Sequence, residues 1–99
     1  MRQRNMDGIV ETVRYAPDGS IAIVRLYQRH GAVWSDLLLF SRNQLVEELN
    51  KGKRVAIGSR RINLGGKFET GPEIRHVHGH IVLDPKSAAH DSLPGVPIF

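Results

Sequence analysis

His76-x-His78-x-His80 is the sharpest spacing of chemistry-bearing side chains in this 99-residue chain. On a continuous strand alternate residues share one face, so the three imidazoles would stand in a row with Val77, Ile81 and Leu83 on the other side. Neutral imidazole suits Zn, Cu or Ni. Same-face neighbours lie about 6–7 Å apart along a strand, however, so three rings reach one ion only if the strand bends. Glu73 and Asp84 stand at the ends of the run, where neither is set to orient a ring. The expectation is a polar strand face with no metal and no other cofactor, His76, His78 and His80 being the only metal-ligand candidates.

Constellations for catalysis are thin. The absence of Cys excludes disulfides, thiolate zinc sites and cysteine nucleophiles. Ser35-Asp36 has no positioned base, and Glu47 and Glu48, adjacent on a helix, point in different directions. Gly65-Gly66-Lys67 lacks the earlier glycine and the following Ser/Thr of a phosphate loop. A chain of this length buries about two-thirds of its unfolded surface, enough for one core but not for a deep substrate cavity. The expectation is a protein that is not an enzyme.

Binding chemistry is better represented. Lys+Arg number 14 against 10 Asp+Glu, a net charge of +4, and ten of the cations are Arg, which recognises flat anions such as phosphate in bidentate fashion. Residues 1–62 carry eleven cations and six anions, whereas residues 63–99 carry three and four. The excess therefore belongs to the part of the chain with strand character, and a basic folded face argues for a shaped anionic partner. Arg14, Arg25, Arg29, Arg54, Arg60, Arg61 and Lys67 are the cations available to such a face. Tyr27, Trp34 and Phe68 could stack on bases, a contact worth about 1–3 kcal/mol each. Arg25 interrupts an otherwise apolar strand, where a charge must reach water or a partner. The plainer alternatives are a solvated basic surface and a Trp34 that anchors the core.

These residues need elements to hold them. Gly8–Tyr15 reads as a half-buried strand, Pro17-Asp18-Gly19 as a tight turn, and Ile21–Tyr27 and Ala32–Phe40 as a second and third strand. Ser41 can cap a short helix, with Gln44 completing a capping box, Leu45, Val46 and Leu49 on one face, and Gly52 as the stop. Lys53–Ile62 resumes as a fourth strand, residues 63–71 form a glycine-rich loop, and Ile74–Leu83 is the last strand. Closing five strands into a barrel removes exposed edges. The organisation expected is a basic arm over residues 1–6, a barrel over 7–84, and a flexible Pro-containing tail over 85–99. No run reaches the roughly 18 apolar residues of a membrane span, and no apolar stretch follows the first charges. With the lack of Cys, this points to the cytoplasm and away from membranes.

The order strand–strand–strand–helix–strand–strand resembles the oligonucleotide/oligosaccharide-binding (OB) fold. Leu49-Asn50-Lys51-Gly52-Lys53-Arg54-Val55-Ala56-Ile57-Gly58-Ser59-Arg60 is similar to the entry into the fourth strand of bacterial single-stranded-DNA-binding proteins. Cold-shock and ribosomal-type RNA-binding barrels share the topology, and Gly8–Val13 opens as theirs often do. The resemblance implies an all-β, five-stranded OB-like Greek-key barrel with one short helix between strands 3 and 4, and single-stranded DNA or RNA as partner. The alternative is an assembly module forming a homo-oligomer without nucleic acid. The apolar end, Leu93-Pro94-Gly95-Val96-Pro97-Ile98-Phe99, slightly resembles the terminal peptide that partner proteins capture from those DNA-binding proteins. A loose end, a segment folded back on the barrel, and capture within a homo-oligomer are the other readings.

Overall fold

The computed structural model describes residues 6–60, 68–83 and 90–99, with Arg60 and Phe68 described in their backbone alone. β-Branched residues enrich β1 (Gly8–Tyr15) and β2 (Ile21–His30), the central antiparallel pair. The Pro17–Gly19 turn joins them: the Gly19 N–H donates to the Ala16 carbonyl at 2.9 Å, and Asp18 Oδ1 accepts from the Ser20 N–H at 2.9 Å. One bulge sets Glu11 and Thr12 together opposite Arg25, which keeps Val10 and Val13 both on the core side.

Around this pair the sheet runs β3-β2-β1-β5-β6, with β4 also pairing β2. β3 (Val33–Trp34) and β4 (Leu38–Ser41) replace the single third strand expected over Ala32–Phe40. Ser35 accounts for the interruption: its hydroxyl accepts the Gln28 N–H at 2.9 Å and donates to the Asp36 carbonyl at 2.7 Å, turning the chain away from the ladder. β5 (Val55–Arg60) lies parallel to β1 from Gly8↔Val55 to Val10↔Ile57, and β6 (Phe68–Glu73) pairs antiparallel with β5. Strand β6 begins inside the segment expected to be a glycine-rich loop. The whole is a mostly β, curled half-barrel with one helix, compatible with an OB-like fold. No ladder among the described residues closes β6 onto β3 or β4.

The helix is where local chemistry put it. α1 (Arg42–Asn50) starts at the Ser41 cap, and both hydrogen bonds of the reciprocal Ser41–Gln44 capping box are formed. Leu45 is fully buried, and Val46 and Leu49 pack on the core beside it. A nine-residue helix is marginal alone, so this docking on β2, β4 and the chain beyond supports it.

The last strand expected over Ile74–Leu83 is instead a hairpin, β7 (Arg75–Val77) and β8 (His80–Val82), forming a sheet of its own. Val77 pairs with His80 across the two-residue turn His78-Gly79, both at positive φ (52° and 80°). That is the conformation of a type I′ turn, whose twist suits a tight hairpin.

Residues 90–99 differ from the loose tail expected. Leu93 and Val96 join Val10, Val13, Ile21, Val24, Leu26, Leu45, Val55, Ile74 and Ile81 in the core. Asp91 is 4% exposed, and its carboxylate bolts the segment down. Oδ2 accepts the Ile21 N–H at 2.8 Å and Arg42 Nε at 2.8 Å; Oδ1 accepts the Ile81 N–H at 2.9 Å and Arg42 Nη2 at 3.1 Å. Burial pushes the Asp91 carboxyl up, but the hydrogen bonds from Arg42 and the two main-chain N–H groups outweigh it and hold it at about 2.

Candidate nucleic-acid interface

Since Val24 and Leu26 point into the core, alternation turns Ile23, Arg25, Tyr27 and Arg29 of β2 to the outside. Their cross-strand partners share that face: Arg14 opposite Ile23 and Thr12 opposite Arg25 on β1, Leu39 opposite Arg25 on β4, and Trp34 opposite Arg29 on β3. Arg14, Arg25, Tyr27, Arg29 and Trp34, scattered over 21 positions of the sequence, thus come together on one surface.

Each side chain there has a defined setting. Arg14 is exposed, and its Nε donates to the Phe99 main-chain oxygen at 3.1 Å. Its guanidinium carbon stands 4.7 Å from the centre of the Phe99 ring, and that of Arg25 stands 4.1 Å from it. The partner that Arg25 needed is therefore an aromatic face. Tyr27 donates its hydroxyl to Glu11 Oε2 at 3.0 Å. Arg29 lies 3.8 Å from Asp7, a half-exposed pair that leaves it accessible. Trp34 is half-buried and outside the core cluster.

The remaining candidates fall elsewhere. Arg54 is committed to Glu73 through bonds of 2.9 and 2.6 Å, joining β5 to β6, while its own N–H donates to Asp7. Arg61 and Lys67 lie outside the described residues, as do the side chains of Arg60 and Phe68. The histidine row does not form. His78 sits in the hairpin turn, and the register puts His76 and His80 on opposite faces of the hairpin. His76 Nδ1 lies 3.2 Å from Asn50 Oδ1, and His80 Nδ1 lies 3.8 Å from Asp91. Among the described residues no three His, Asp or Glu groups are placed to hold a metal ion.

Two of the grooves among the described residues border the sheet, and the first shares Glu11, the partner of Tyr27, with this face. One, of about 380 Å³, runs between β1, β5, β6 and Gly95–Pro97 and is lined by Glu11 and Glu69, which disfavours phosphate. The other, of about 460 Å³, lies beside the end of α1 with Lys53, Arg75, His76 and Glu73 in its wall, and has no Phe, Tyr or Trp in its lining. Of these three surfaces, the outer face of β1–β4 is the one that sets Arg side chains beside Tyr and Trp.

Phe99 was not among the stacking candidates, and Arg42 was counted only as a basic residue. Arg14 and Phe99 are 85 positions apart, and Arg42 and Asp91 are 49 apart. No local pattern signals such a pairing. Comparison with family models, curated proteins and solved structures finds no match to this chain.

Proposed function

We propose that the outer face of β1–β4 binds single-stranded nucleic acid, and that the curled sheet is an OB-like module serving that purpose. The supporting observation is the strand register that sets Arg14, Arg25 and Arg29 beside Tyr27 and Trp34. Cations there attract the phosphate backbone and rings offer faces to unpaired bases, so the interface tolerates many sequences. The proposed role is binding without catalysis.

The test is the affinity for a labelled oligonucleotide at two salt concentrations. Three phosphate contacts on a single strand should weaken binding about 20-fold between roughly 50 and 200 mM salt. Arg25→Ala or Arg29→Ala should lower both the affinity and the salt slope, whereas Arg54→Lys, away from this face, should alter neither. Absence of binding at low salt, or binding indifferent to salt, rejects the proposal.

A second reading, a homo-oligomeric assembly module, draws on Val33 (68% exposed) and Leu39 (61% exposed) along the same edge of the sheet. It calls for a solution mass above that of one chain, reduced to it by Leu39→Asp.

A further inference from the structure

We infer that the Arg14–Arg25 pair is a stacking seat for one unpaired base, and that Pro97–Phe99 is a detachable cap holding its own ring in that seat until a strand displaces it. The inference rests on the reading of the outer face as a nucleic-acid interface and adds both a particular subsite and its control.

The seat is recognisable because it is filled. Two guanidinium groups, from adjacent strands, stand 4.7 and 4.1 Å from the centre of one phenyl ring. The attraction is between a cation and a π face, and every nucleobase has such a face. Among the described residues neither Arg14 nor Arg25 is paired with Asp or Glu, unlike Arg42 and Arg54. Their charge remains available for the phosphate that accompanies a stacked base. Phe99 offers the pair a ring and gives Arg14 a main-chain oxygen, whereas a nucleotide brings a ring together with a phosphate.

The cap is built to come off. The β1–β5 ladder ends at Val10↔Ile57, which leaves the edge of β1 at Val13 open to the last residues of the sequence. The Val13 N–H donates to the Pro97 carbonyl at 2.9 Å, and the Phe99 N–H donates to the Val13 carbonyl at 3.1 Å. The Arg14 bond to the Phe99 oxygen completes the attachment. Ile98, at 71% exposed, adds almost no burial. The apolar anchors of the segment, Leu93 and Val96, precede it and belong to the core. Peeling back residues 97–99 therefore breaks three hydrogen bonds, two of them to the main chain of buried Val13, together with the ring contacts, and leaves Leu93 and Val96 in the core.

A site occupied by its own chain binds with an affinity reduced by the fraction of time it is open. Phe99→Ala should therefore bind a labelled oligothymidylate about 3- to 10-fold more tightly than the unaltered chain at the same salt. Its salt slope should not change, because no cation has been altered. Equal or weaker binding by Phe99→Ala, with the unaltered chain binding normally, overturns the cap and leaves the interface standing. Failure of both chains to bind at low salt overturns the interface, and the cap with it. A 4-fluorophenylalanine placed at position 99 gives a direct readout that does not depend on the variant folding well. Saturating oligonucleotide should move its fluorine resonance to that of a solvent-exposed ring; an unmoved resonance at saturation refutes displacement.

Discussion

Asp91→Asn should cost this fold far more than a surface substitution, because one carboxylate satisfies four donors from three parts of the chain. Each oxygen takes one main-chain N–H and one guanidinium N–H. The amide keeps one acceptor and turns an NH2 group toward two donors, so a buried N–H of Ile21 or Ile81 loses its partner. An unmet buried donor costs about 1–3 kcal/mol. Arg42 also loses its counter-charge, although its side chain, 28% exposed, can turn to water. The same hydrogen bonds depress the Asp91 pKa from 3.8 to about 2, which corresponds to roughly 2–3 kcal/mol. Both figures place the loss near 3 kcal/mol, or a fall in Tm of about 12 °C or more for a domain of this size. The sign of the pH dependence follows from a folded-state pKa that lies below the unfolded one. The contribution is complete above about pH 4 and is lost as the pH falls toward 2. Urea unfolding of both chains at neutral pH and at several points in that acid window measures it, the other carboxylates cancelling in the difference. A variant within about 0.5 kcal/mol of the original at neutral pH would refute the reasoning, as would a gap that does not narrow on acidification.

Two further substitutions probe the scaffold. Ser41→Ala removes the cap of α1 and should cost about 1 kcal/mol in urea unfolding, while Ser41→Asp should retain most of that stability. At Gly58 an added Cβ would run into the Glu69 carbonyl oxygen and crowd Ile9 Cγ2 at 3.1 Å. Gly58→Ala should therefore cost about 2 kcal/mol or more by prising β5 from β6, whereas alanine at exposed Lys51 should change little in the same assay.

The elements most readily read were those decided within a few residues. The Ser41–Gln44 box, the Pro17–Gly19 turn and the two central strands are where local rules put them, and the all-β character with a single helix follows. Reading failed where a short sequence had two locally acceptable outcomes. His76–His80 alternates as a strand would, yet His78-Gly79 also suits a turn, and packing of Ile74 and Ile81 into the core favours the hairpin. Trp34 and Phe40 fell in one apolar run, but the hydroxyl of Ser35 divided it.

The candidate site shows the same division. By itself the sequence determined that cations concentrate in residues 1–62 and that Arg25 interrupts an apolar strand, and it raised the expectation of a face carrying Arg and aromatic side chains. Those conclusions need only composition and the two-residue period of a strand. Only the tertiary structure decided which cations stay available: Arg54 goes to Glu73 and Arg42 to Asp91, while Arg14 and Arg25 meet a ring. It also turned an apolar end into part of the core, with Asp91 reaching Ile21 across 70 positions. Pairings at that separation depend on where the whole chain folds back, and short-range periodicity carries no record of it.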